Sequence, residues 1–236
     1  MIYVVSDLHG YPLDRFKKLL KKAEFSEDDF LFILGDVIDR NGDGGVEMLQ
    51  WLLWQPNVEL LMGNHEAMLL SCDFVFEEIT DAGLEQLTPE KMGLLMNYMQ
   101  NGGEVTLKAL KKLADRDRDS LQDVLDYLRE APLYETVSAG DRDYLLVHAG
   151  LQHFRPNRKL SDYSADELLW ARPDLHEDYF DEVITVFGHT PTACYGIAYE
   201  GKILRTPTWI NIDVGAASGN EPILLRLDDG KEFSLA

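Results

Sequence analysis

Apolar residues gather in this chain into short runs, at 2–5, 30–34, 58–62, 144–147 and 183–187, interrupted only by Glu59 and Thr185, and a polar cluster follows each run. The clusters read Ser6-Asp7-Leu8-His9-Gly10, Gly35-Asp36-Val37-Ile38-Asp39-Arg40, Gly63-Asn64-His65-Glu66, His148-Ala149-Gly150 and Gly188-His189-Thr190. Runs of four or five apolar, β-branched-rich residues bounded by Gly and Asp predict buried strands. Each cluster then occupies the loop leaving the carboxyl end of a strand, where open α/β sheets bind their ligands. Between the first two runs Leu13, Phe16, Leu19, Leu20 and Ala23 recur at helical spacing, with lysines and Arg15 on the opposite face. Between the second and third, Val46, Leu49, Leu52 and Leu53 do the same, and Pro56 stops that helix. Residues 1–66 therefore carry a βαβαβ rhythm.

The pattern then changes. Residues 67–131 read as helical without strand alternation, 120–130 most clearly through Leu121, Val124, Leu125 and Leu128 before Pro132. This block predicts a helical insertion, or cap, over the sheet of one domain spanning 1–236, with 115–119 as a solvated turn. Strands return at 133–137, 144–147, 183–187, 209–213 and 223–227; turns containing Gly and Pro predict antiparallel pairing among the last three. Trp51, Trp54, Met92, Met96 and Met99 are expected to pack in the core or beneath the cap.

Composition supports one folded domain: 236 residues with 45% hydrophobic content supply a substantial core. A formal charge of −20 repels nucleic-acid backbones and describes a solvated acidic surface. Cys72 and Cys194 form neither a disulfide framework nor a CxxC metal site, as expected of a reducing, cytoplasmic setting. No leader pattern opens the sequence, and no run approaches the roughly 18 apolar residues of a membrane span.

The clusters change the picture most. Carboxylate, imidazole and amide oxygen are ligands for hard or borderline divalent metals, and no thiolate is among them. Asp7 and His9 can turn toward one ion, Asp36 can bridge two, and Asn64, His148 and His189 can complete the second shell. Such a pair of ions activates a water and holds a phosphoryl oxygen during in-line displacement. His65 with Asp39 makes a proton donor for a leaving group, and Arg40 offers a planar fork to phosphate. Four of the six histidines fall in the clusters; His153 and His176 lack that context and read as surface residues.

Asp7-x-His9-Gly10, Gly35-Asp36-x-x-Asp39-Arg40, Gly63-Asn64-His65-Glu66, His148-Ala149-Gly150 and Gly188-His189 resemble the signature blocks of the phosphoprotein phosphatase family of calcineurin-like metallophosphoesterases. The likeness covers about residues 1–66 and 144–215 and is strongest to the small bacterial and phage members. It implies an α/β fold of two packed mixed β-sheets flanked by helices. It also implies Asp7, His9 and Asp36 on one metal, and Asp36, Asn64, His148 and His189 on the other. His65 is then the general acid supported by Asp39, and Arg40 binds phosphate. Arg172, in Leu169-Trp170-Ala171-Arg172, is similar to the family's second phosphate-binding arginine. Manganese is the expected metal, though iron and zinc suit the ligands too.

The leading functional expectation is a protein serine/threonine phosphatase, extending to phosphotyrosine, that attacks phosphorylated protein directly with a metal-activated hydroxide. The alternative is a symmetrical dinucleoside polyphosphate hydrolase using the same centre. A non-catalytic metal-binding scaffold has no need of the His65–Asp39 pair. One departure stands out: Asn41 follows Arg40 where the family usually has glycine, which bears on the shape of the phosphate-binding loop.

Overall fold

The computed structural model describes residues 1–77 and 88–236. The chain begins with the expected alternation: β1 (Ile2–Val5), α1 (Leu13–Lys22), β2 (Phe30–Ile33), α2 (Val46–Leu52) and β3 (Val58–Leu60). Helices follow: α3 (Asn64–Leu70), α4 (Pro89–Tyr98), α5 (Glu104–Arg116) and α6 (Arg118–Glu130). The second half holds β4 (Tyr134–Ala139), β5 (Arg142–Val147), α7 (Ala165–Leu169), β6 (Val183–Phe187), β7 (Leu204–Arg205), β8 (Trp209–Asn211), β9 (Leu224–Arg226) and β10 (Glu232–Phe233).

Among the described residues these strands form two five-stranded mixed sheets, ordered β10-β9-β1-β2-β3 and β4-β5-β6-β8-β7. The neighbours β1, β2 and β3 run parallel, as do β5, β6 and β8. Side-chain alternation explains why apolar runs suit these strands, because both faces are covered. Tyr3, Val5, Leu31 and Ile33 point into a core shared with the helices, whereas Val4 and Phe32 point between the sheets. There they meet Leu146, Val186 and Ile210, and the outer face of the second sheet buries Leu145, Val147, Phe187 and Trp209 in a third cluster. The fold is the two-sheet α/β sandwich expected from the sequence.

Several expectations are corrected. β6 and β8 pair in parallel, because 188–208 forms a crossover of helical turns ending in β7, on which β8 folds back antiparallel. β9 joins the other sheet, antiparallel to β1. Residues 115–119 are a junction between helices, where Asp117 caps α6 by accepting from Ser120 N at 3.2 Å. Trp54, Met92, Met96 and Met99 are exposed. Of the expected insert, residues 78–87 lie outside the described residues. Its described helices share the first core: Leu107, Leu110, Leu113, Leu121 and Val124 pack in one cluster with β1 and β2 side chains.

Candidate metal centre

Every expected metal-ligating residue lies just beyond the carboxyl end of a strand, and both sheets contribute. β1 delivers Asp7 and His9, β2 delivers Asp36, and Asn64 and His65 open α3 after β3; β5 and β6 deliver His148 and His189. All six ligand candidates are buried or nearly so. The loops bend sharply to turn these side chains inward. Eight non-glycine residues among those described have positive φ, and six of them are Asp7, His9, Asp36, Asp39, Arg40 and His189. Left-handed backbone is costly for side-chain-bearing residues and collects where the surrounding structure enforces it for function. Gly63 is needed for space, since a Cβ there would collide with the Asp36 carboxylate and backbone N and with Glu66 Oε2.

Two triads of ligand atoms result, His9–Asp36–His65 and Asp36–His148–His189, with all atoms of each within 4.8 Å of one another. Asp36 belongs to both, which is the geometry of a bridging carboxylate. His9 Nδ1 lies 2.9 Å from Ile38 O, and His148 Nδ1 2.7 Å from Leu34 O. Carbonyls can only accept, so both Nδ1 atoms carry protons and each neutral ring turns its Nε2 lone pair inward. Those lone pairs face Asp36 at 3.5 Å, from His9 to Oδ2 and from His148 to Oδ1. Lone pairs aimed at carboxylate oxygens repel unless a cation or proton lies between them. Asn64 Oδ1 adds a further acceptor 2.9 Å from both His148 Nε2 and His189 Nδ1, and buried His189 Nε2 has no hydrogen-bond partner among the described residues. The donor set fits two divalent ions. Asp7 stands outside both triads, with Oδ2 accepting from His189 N at 2.9 Å.

Burial sets the protonation of these groups. It raises the Asp7 and Asp36 carboxyls well above the ordinary carboxylate range, assisted by the charges of Asp213 beside Asp7 and of Glu66 and Asp7 beside Asp36. The same desolvation lowers the imidazoles, His148 to about 3 and His189 to about 2, and pushes His9 down with help from Arg40 and His65. In metal-stripped protein the carboxyls therefore keep protons to higher pH than ordinary carboxylates do, while the imidazoles carry none to release. Metal uptake in mildly acidic solution should expel protons from these carboxyls, measured by calorimetry in buffers of unequal ionisation enthalpy. Proton-neutral uptake would contradict this assignment.

The proton-donor candidate His65 is itself a member of the first triad, and the phosphate-binding candidates adjoin the triads. His65 Nδ1 lies 2.6 Å from Asp39 Oδ2, and Arg40 Nη2 lies 3.1 Å from His65 Nε2. Arg172 Nη1 donates to Thr190 Oγ1 at 3.2 Å, one residue after His189. Asn41 avoids positive φ, which falls on Asp39, Arg40 and Gly42 instead. Its side-chain amide donates to Ala217 O at 3.1 Å, tying this loop to the one after β8.

Two buried carboxylates beside the triads received no role from the sequence. Glu66 accepts from the backbone N–H groups of Asp36, Val37, Ile38 and Gly63 and so shapes the loop that carries Asp36. Asp213 follows β8 on a sixth strand-end loop, where burial raises its carboxyl to about 6 and Arg40 and Arg172 act against that rise. Its signal was the same syntax, an apolar run ending in Asp with Gly215 close behind, hidden because Asp213 was read as the strand's last residue.

Residues 1–206 match the calcineurin-like phosphoesterase family model. A curated relative, the symmetrical bis(5'-nucleosyl)-tetraphosphatase of Acidovorax sp. (strain JS42), is 28% identical over 169 residues, covering 71% of this chain and 47% of the relative. The chain thus spans about half the length of that relative. A putative diadenosine tetraphosphatase structure superposes with a TM-score of 0.60 at 20% identity, covering 99% of this chain and 92% of the other. A serine/threonine protein phosphatase of Saccharomyces cerevisiae does so with a TM-score of 0.54 at 15% identity, covering 100% and 80%. The shared fold, the family match and the convergence of imidazole and carboxylate on Asp36 agree: this chain belongs to the calcineurin-like phosphoesterase family.

Proposed function

We propose that this protein is a metal-dependent hydrolase of symmetrical dinucleoside polyphosphates, cleaving the chain of phosphates to release nucleoside diphosphates. The observation that carries the reading is the 169-residue similarity to a symmetrical bis(5'-nucleosyl)-tetraphosphatase. It reverses the order suggested by the sequence motifs, which placed phosphoprotein first.

Asp7, His9, Asp36, Asn64, His148 and His189 would hold two divalent ions, with manganese the proposed pair. When bound, the ions supply positive charge opposite the phosphoryl oxygens and acidify a water. The chain's own residues do the rest. Arg40 and Arg172 bind phosphate oxygens through their guanidinium forks. While Arg40 donates to His65 Nε2, that nitrogen holds no proton; once substrate phosphate draws the guanidinium away, Nε2 takes up a proton from solvent. His65, oriented through Nδ1 by Asp39, then gives a proton from Nε2 to the departing group. Trp170 is partly exposed, with its ring edge-on to His189 at 5.7 Å. It borders one recess of ≈ 460 Å³ with Gln152 and Arg172, and another of ≈ 170 Å³ with Asn64, Leu94 and Asn97. Two recesses flanking one metal site suit a substrate with a nucleoside at each end.

A second reading, phosphomonoester hydrolysis on protein, draws support from the His65–Asp39 pair. A nucleoside diphosphate departs as a weak base, whereas a serine or threonine alkoxide needs a proton badly. Metal-stripped, manganese-reconstituted protein should be offered diadenosine tetraphosphate and a phosphopeptide in parallel. The proposal expects ADP as the sole nucleotide product and a kcat/KM at least about tenfold above that for the peptide. Preference for the peptide, or AMP and ATP as products, would defeat it.

A further inference from the structure

Asp39 is a fully buried carboxylate whose two oxygens have separate partners. Oδ2 faces His65 Nδ1 at 2.6 Å. Oδ1 accepts from Tyr98 OH at 2.6 Å and from Thr106 Oγ1 at 2.5 Å. Both hydroxyls come from the helical insert, Tyr98 ending α4 and Thr106 in the first turn of α5. Thr106 Oγ1 also accepts from Asp39 N at 3.0 Å, so it holds the residue by backbone and side chain together.

The turn between those helices, Met99–Gly103, is wound more widely than an α-helix and breaks at Gly102, where φ is 98°. Such local widening of a helix is often found at functional sites. Here Gly102 O accepts from Arg40 N at 3.1 Å, and a Cβ on Gly102 would lie 2.8 Å from Arg40 Cγ. Gly103 packs on the Tyr98 ring, where a Cβ would come within 2.5 Å of Cζ. The insert thus grips Asp39 and Arg40 as a pair while both hold left-handed backbone, φ 75° and 65°. Satisfying a buried carboxylate requires hydrogen-bond donors somewhere. General satisfaction does not explain why both hydroxyls meet Oδ1 and leave Oδ2 to the imidazole.

We infer that Tyr98 and Thr106 are positioning residues for proton donation: the α4–α5 turn of the insert orients the Asp39 carboxylate, which keeps the proton on His65 Nδ1 and aims Nε2 at the leaving group. This rests on His65 being the acid. The insert is then part of the catalytic apparatus as well as a wall of the substrate cleft.

The test uses the metal-loaded full chain with aryl phosphates of graded phenol acidity, because loss of an acid is felt most when the leaving group is basic. His65→Asn should lower kcat on the most basic phenol by about 10²–10⁴-fold, and far less on the most acidic. Tyr98→Phe and Thr106→Val should each lower kcat about tenfold with the same tilt toward basic leaving groups, at unchanged metal content. Thr106→Ser should restore the wild-type profile, and the Val/Ser pair decides the matter if Tyr98→Phe folds poorly. Equal losses across all leaving groups in the Tyr98 and Thr106 variants, or no loss, overturn the inference while His65→Asn keeps its tilt. A His65→Asn variant without the tilt overturns the acid assignment and this inference with it, whatever the enzyme's preferred substrate.

Discussion

Asp36→Asn is expected to abolish metal binding and hydrolysis together while leaving the metal-stripped protein more stable than before. Asp36 is the one carboxylate present in both ligand triads, so removing its charge weakens both metal positions at once. Asparagine has the same size, and its Oδ1 can still accept from His65 N, a bond of 3.0 Å in the native loop. Its amide NH₂, placed where Oδ2 stands, would also meet the inward lone pair of His9, which faces that carboxylate oxygen at 3.5 Å in the native protein. The substitution therefore removes a buried charge that burial, Glu66 and Asp7 all disfavour. We expect kcat to fall by at least about 10³-fold, with less than one metal ion retained per chain. Without metal the variant should gain about 1–2 kcal/mol at pH 7.5, a rise of roughly 2–8 °C in Tm for a chain of this size. Metal analysis and melting of the stripped proteins decide it: wild-type metal content would remove Asp36 from the bridging role, and a lower Tm would show that its charge is compensated in some other way.

This opposition between stability and function explains what the sequence disclosed. β1, β2, β3, β5 and β6 were legible because a strand covered on both faces is apolar along most of its buried length. The Asp, Asn and His residues crowding their ends broke that apolar pattern, so the candidate metal ligands stood out from their context. Which strands pair was not legible: nothing in 183–187 or 209–213 records that the intervening crossover makes them parallel neighbours. Exposed apolar residues misled for a related reason, since Met92, Met96 and Met99 look like core until the side their helix presents is known. Tyr98 and Thr106 lie 59 and 67 residues from the aspartate they hold, beyond any local pattern. Glu66 stood in plain view within Gly63-Asn64-His65-Glu66, but its work is done on backbone 28 to 30 residues earlier.

That last residue should carry the largest effect on folding. Glu66 Oε1 accepts from Val37 N at 2.9 Å and Ile38 N at 3.3 Å, and Oε2 from Asp36 N at 2.8 Å and Gly63 N at 3.2 Å. Glu66→Ala would strand four buried donors, each worth about 1–3 kcal/mol when left unpaired. Part of that is offset, because burial raises the Glu66 carboxyl and its removal relieves the desolvation. A net loss of about 3 kcal/mol follows, which lowers Tm by roughly 6–12 °C. Glu66→Gln is the discriminating companion. Its amide oxygen can serve one pair of donors, but its NH₂ confronts the other pair, so about half the loss should remain. Because the bonded loop carries Asp36 and leads into Asp39, metal affinity should also fall by about 10–100-fold in both variants. Melting curves and metal titrations on the two proteins test the claim; an alanine variant melting within about 2 °C of wild type would mean that other acceptors can close the loop, and that Glu66 does not set the geometry of the site.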